Sequence, residues 1–236
     1  LAPEFLSNSR LDFGVKLPFF IPLDVDKDIT FTPFITPQTS TIETRYRQAF
    51  EKGNLNVDSS LTRDTLGDNQ FRGYLSINGD FNLDNGYILN YNIERVSDSA
   101  YLGDYGYTAQ NELSSGLNYS QVRSDRFVET SLGVIQSLYK EDKDNLTLTT
   151  NNYYDRIIDQ NIVPGSLSFN SELVASWRKG SEDIVGRDVA RFANQLNWNN
   201  TSISSWGLEY GSGMVLNQDV FLAVDDSRLN NLEILN

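Results

Sequence analysis

The side-chain period limits this chain more than any other feature. In residues 71–83, "FRGYLSINGDFNL", the residues Phe71, Gly73, Leu75, Ile77, Gly79, Phe81 and Leu83 share one parity. Arg72, Tyr74, Ser76, Asn78, Asp80 and Asn82 share the other. Side chains alternate in this way only along an extended strand, so one face is apolar and the other wet. Asp84-Asn85-Gly86 follows with the turn chemistry of a tight hairpin, and Tyr87, Leu89, Tyr91 and Ile93 then alternate with Asn90, Asn92 and Glu94. The same parity rule links Leu11 to Leu23, Ile29 to Ile35, Ile42 to Phe50, Leu55 to Leu61, and, further on, the sets Leu113, Leu117 and Tyr119, Leu167 to Trp177, and Phe192 to Trp198. Helical spacing is nearly absent. The pattern predicts an all-β chain of about eleven to thirteen strands in up-and-down order.

Strand length selects the architecture. Strands of soluble proteins average about 5–6 residues, whereas those crossing an outer membrane need roughly 9–11 tilted residues. Residues 11–23 and 71–83 exceed both. The wet faces carry Asn, Ser, Thr, Asp, Glu and Arg, as a water-filled interior requires, and Tyr87, Tyr119, Trp177, Trp198, Trp206 and Tyr210 stand near strand ends, where an interfacial girdle places them. The expectation is an antiparallel, up-and-down transmembrane β-barrel of the outer membrane, with 1–236 as one barrel segment. A soluble β-sandwich or β-helix also alternates and is the competing architecture. No apolar run approaches the roughly 18 residues of a membrane helix.

Composition removes several chemistries. The chain has no His and no Cys, which excludes Ser-His-Asp and Cys-His triads, the HExxH zinc motif, disulfides and thiolate metal sites. Its net charge, 19 − 32 = −13, repels polyanions, so no nucleic-acid partner is expected. The chain opens "LAPEF" and holds one methionine, Met214, and so reads as a piece of something longer.

The charged motifs read as solvated turns. "DVDKD" (24–28) has the opening spacing of an EF-hand loop without the later Gly and Glu, and "KEDKDN" (140–145) reads as a wet loop. No pair among the thirty-two acids stands out for glycoside chemistry. No catalytic residue, metal site or cofactor is expected, and the chain is read as a non-enzyme. Gly14, Gly73, Gly79, Gly116 and Gly133 fall within strands, where they let a wall bend or pack closely.

The prolines are the anomaly. Four of the six, Pro18, Pro22, Pro33 and Pro37, fall within residues 15–37. Pro22 and Pro37 stop strands at turns. Pro18 and Pro33 lie inside strands, where the missing N–H interrupts a ladder.

At these residues the sequence resembles the lipopolysaccharide-assembly outer-membrane protein family (LptD, or OstA). The stretch "SRLDFGVKLPFFIPLDVDKDITFTPFITPQTSTIETRYRQAF" is similar to that family's entry into its barrel, and "YNIERVSDSAYLGDYG" (91–106) to its segment with Ser-Asp, Tyr-Leu and Asp-aromatic-Gly. The resemblance is strongest over 8–106 and fades after about 140. It implies a barrel of roughly two dozen strands, of which this chain is the first half. The family's periplasmic jelly-roll domain and its disulfides have no counterpart here.

By that resemblance the activity is translocation of lipopolysaccharide and its insertion into the outer leaflet. The implied partners are lipopolysaccharide, outer-membrane lipid, a lipoprotein plug in the lumen and a periplasmic transport bridge. Pro18 and Pro33 match the prolines that weaken a lateral gate. A passive porin-like channel is the runner-up, followed by an outer-membrane enzyme using scattered acids and a soluble carbohydrate-binding β-protein.

Overall fold

The structure, a computed structural model, describes residues 2–8, 10–66, 71–108, 110–138, 146–158, 164–178 and 186–224. Fourteen strands are found among them: β1 (Glu4–Asn8), β2 (Asp12–Lys16), β3 (Phe19–Pro22), β4 (Lys27–Ile35), β5 (Thr39–Phe50), β6 (Gly53–Asp64), β7 (Phe71–Asn82), β8 (Tyr87–Val96), β9 (Glu112–Val122), β10 (Arg126–Ser137), β11 (Leu146–Ile158), β12 (Ser166–Arg178), β13 (Arg187–Ile203) and β14 (Glu209–Val224). They form one sheet in sequence order, with β3 beside β2 on the flank of β4. Among the described residues β1 and β14 each pair on one side only, so the sheet is not closed. Every strand from β5 to β14 has ten residues or more. The acidic loop at 140–145 lies outside the described residues.

The strand count exceeds the eleven to thirteen expected, for two reasons. Residues 4–8 form a strand too short for its period to register, and it turns onto β2 through Asp12 at φ 60°. Residues 11–23 are also divided at Leu17-Pro18. The two pieces nonetheless keep one register against β4, Val15 opposite Ile35 and Phe19 opposite Phe31. At the break a single bond remains, from the Leu17 N–H to the Pro33 carbonyl, at 3.1 Å.

That bond fixes which way each proline points. In an antiparallel ladder alternate residues turn both backbone groups to the same neighbour. Leu17 and Leu23 donate toward β4, to Pro33 and Lys27. Residues 18, 20 and 22 therefore face the opposite edge. Pro33 lacks the donor that would return Leu17's bond, so it removes one rung between β4 and the first long strand. Pro18 removes nothing from β4. Its missing donor falls where the β1–β2 ladder would continue to Ala2, and the ladder stops at Glu4 opposite Lys16.

The predicted hairpin at 84–86 holds, with Asn85 at φ 60° and Gly86 at φ 74°. Gly79 shows why a strand interior tolerates glycine: a Cβ there would fall 2.4 Å from the Tyr91 ring, which lies over it and stacks on Phe81.

Contacts divide the chain into two compact units. The first comprises residues 1–83, 89–117 and 134–146, the second 84–88, 118–133 and 147–236. In the first unit much of the apolar parity is uncovered, although Leu11, expected on the same greasy face, is buried at 2% exposure. Phe13, Phe19, Ile21, Ile35, Ile42, Leu61 and Phe71 are all exposed, Phe71 at 70%. The small core lies on the polar side, where Val96, Tyr101, Leu102 and Leu113 pack with Tyr74, Tyr105, Tyr107 and Leu138. Leu113, expected beside Leu117 on a greasy face, belongs to this core instead.

In the second unit β12, β13 and β14 pair with Phe192 opposite Val220 and Leu196 opposite Leu216 on one face. The other face carries Arg191 with Asp219 and Glu172, and Gln195 with Asn217. β14 is exposed along its whole length.

Candidate functional site

Residues 97–108 leave β8 and fold back over the polar face of β5–β7. Their one regular element is a single helical turn, α1 (Tyr101–Asp104), in a chain whose sequence shows almost no helical spacing. Two sets of bonds hold it. The first centres on Arg72, whose guanidinium makes a two-point pair with Asp98 at 2.8 and 2.7 Å and reaches Asp64 at 2.9 Å and Asp104 at 3.0 Å. Arg10 also pairs with Asp104. The fork geometry of guanidinium lets one cation bind several carboxylates. The Asp64 side chain is 1% exposed, so bonds to Arg72 and its other partners replace lost hydration.

The second set is a chain of hydroxyls. Tyr105 donates to the Asp64 carboxylate at 2.9 Å. Each hydroxyl has one proton, so the direction of the whole row follows. Thr39 must donate to Tyr105 (2.6 Å), Thr41 to Thr39 (3.1 Å), Thr62 to Thr41 (2.7 Å) and Tyr101 to Thr62 (2.6 Å). Tyr101 shares its proton with Ser60 at 3.0 Å, and its residue is 0% exposed. The alternating Thr and Ser of β5 and β6 thus form a polar bed whose row of hydroxyls Tyr101 and Tyr105 complete. Burial, the largest effect, pushes the Tyr101, Tyr105 and Tyr107 hydroxyls above their ordinary range, and Glu43 beside Tyr107 pushes that one further. Burial works against ionisation of Asp98, but hydrogen bonds from Arg72 and Ser97 outweigh it and hold its carboxyl below the ordinary range.

Next to this segment the same unit has a half-open cavity of about 710 Å³. Lys16, Glu43, Arg45, Asp58, Tyr74, Glu94 and Tyr107 are among its walls, with Pro18 at its margin. Lys16 reaches across Phe34 of β4, whose ring lies 5.2 Å away, to pair with Glu43 of β5 at 2.5 Å. Tyr107 donates to the same Glu43 oxygen at 2.6 Å.

Pro18 and Pro33, expected from the resemblance to weaken a gate, lie close together along β2–β4, Pro18 opposite Thr32 by register and Pro33 opposite Leu17. The tyrosine segment was legible only as a resemblance. Among the described residues no three His, Cys, Asp or Glu are grouped to hold a metal, and no helix is long and apolar enough to cross a membrane. "DVDKD" is a turn whose Asp24 accepts from the Val25 N–H and whose Asp28 pairs with Arg47. The chain matches no protein-family model and no curated protein.

Proposed function

We propose that this chain is part of the wall of an outer-membrane β-barrel that passes lipopolysaccharide to the outer leaflet through a seam beside its first strands. One observation carries the membrane part. The apolar parity of long strands lies uncovered, while burial and hydrogen bonding concentrate on the polar side. A soluble sandwich buries its apolar parity, whereas a membrane barrel turns it to hydrocarbon. The seam part draws on Pro33, which leaves the first long strand short of one rung on β4, and on Pro18, which ends the β1–β2 ladder. Each missing rung is worth a net of about 1 kcal/mol.

The cysteine-free sequence makes the test direct. In bilayer-reconstituted full-length protein, single cysteines replacing Phe71, Ile77 or Phe192 should carry fluorophores quenched from the lipid phase. Those replacing Asn78, Asp80 or Gln195 should react with a water-soluble maleimide. Uniform aqueous reactivity rejects the membrane reading. The substrate part is tested in cells: P18A/P33A should lower surface delivery of lipopolysaccharide while leaving small-solute flux unchanged. A porin would show the reverse indifference, with delivery unaffected.

A further inference from the structure

We propose that the cavity beside Tyr107 binds an uncharged sugar unit and discriminates against a phosphorylated one. This rests on reading the polar face as the water-filled side, and it assigns that side a ligand chemistry. The volume, about 710 Å³, falls within the roughly 300–1,000 Å³ of small-ligand sites. Two features of the wall point to a sugar. Tyr74 and Tyr107 stack side by side, ring centroids 6.3 Å apart and 25° between planes, and give an aromatic surface for the C–H face of a pyranose. Around them stand three carboxylates. Glu43 takes Lys16 and Tyr107 on one oxygen, Asp58 takes Arg45 on one oxygen, and Glu94 takes Tyr74 on one oxygen. Among the described residues each has its second oxygen open, and an ionised carboxylate only accepts. Hydroxyl groups are the donors that fit such a wall.

The charges argue against phosphate. Both cations of the wall are already committed, Lys16 to Glu43 at 2.5 Å and Arg45 to Asp58 at 2.7 Å. A phosphate entering brings more negative charge to a wall in which these two cations face four carboxylates, Glu4, Glu43, Asp58 and Glu94, so the field there opposes it. A sugar hydroxyl donates to the open oxygens and leaves both ion pairs intact.

The experiment measures saturation transfer by NMR on the full chain in detergent, with maltose and maltose 6′-phosphate as probes at low ionic strength. Maltose should bind at least tenfold more tightly than its phosphate. Glu94→Gln, which keeps an acceptor for Tyr74, should weaken maltose at least fivefold with an unchanged melting curve. Tyr74→Ala should abolish transfer. Absence of transfer to maltose, equal or tighter binding of the phosphate, or maltose binding untouched in E94Q each overturns the proposal. The assay involves neither lipid contact nor transport. If the cysteines report lipid and maltose fails to bind, only this site is lost. If maltose binds and the cysteines report water, the membrane reading is lost and the site stands.

Discussion

The two units are made of the same kind of strand, yet they treat their polar faces in opposite ways. In the first, Thr39, Thr41, Ser60, Thr62 and Asp64 are buried beneath residues 97–108. In the second, Arg191, Gln195, Asn217 and Asp219 form comparable cross-strand pairs that stay in water. An ion pair in water gives up little solvation and contributes little. The same groups under a cover give up their hydration, and each must find a partner. Polar side chains in the first unit therefore specify structure, and those in the second tune a surface.

The largest effect that would break this contrast is expected at Arg72. Arg72→Met removes the guanidinium that the buried Asp64 and Asp104 share and should cost about 3–5 kcal/mol, read as a lowered denaturant midpoint. Hydrogen exchange should speed up at 97–108 and not in β12–β14. Equal loosening of both units would remove the distinction.

Tyr101→Ala should come next, at about 3–4 kcal/mol for an aromatic side chain taken from a filled site. Tyr101→Phe keeps the ring and loses the bonds to Thr62 and Ser60, so about 1–2 kcal/mol is expected. The difference between the two variants separates packing from the hydroxyl row.

The response to pH sharpens the comparison. The folded-state values of Tyr105 and Tyr107 are raised, so their contribution is complete below the unfolded tyrosine value of about 10 and is lost as pH rises beyond it. Asp98 is lowered. Its contribution is complete above the unfolded carboxylate value of about 4 and is lost as pH falls through the folded one. Residues 97–108 should thus loosen at both alkaline and acid extremes, seen by tyrosine absorbance and exchange, with the exchange pattern of β13 and β14 changing less. The smallest effect belongs to Arg191→Ala, in which a 43% exposed side chain leaves the half-buried Glu172 and the exposed Asp219. Its expected cost is below about 1 kcal/mol.

Much of the sheet was legible because period 2 leaves a clear trace when one face is apolar. β7, its hairpin through Asn85 and Gly86, and the continuous register of 11–23 across its break all follow from parity and turn chemistry. The cover over the first unit was not legible, for a physical reason. Its bed consists of Thr and Ser, which pattern reasoning assigns to water, and the residues that satisfy it, Tyr101, Tyr105 and Tyr107, sit in a stretch with no strand period. The available signal was three tyrosines and Leu102 between two strands, too apolar for a connection left in solvent. β1 escaped notice because five residues carry too little alternation.

The backbone from Pro18 to Pro22 has a consequence for self-association. Its outward edge offers the carbonyls of Pro18, Phe20 and Pro22, but Phe20 holds the lone N–H. Two such edges meeting antiparallel could exchange bonds at Phe20, while each flanking proline-to-proline pairing would exchange none. This stretch therefore refuses its own kind and accepts only a strand rich in donors, which guards a long, greasy sheet margin against zipping into aggregates.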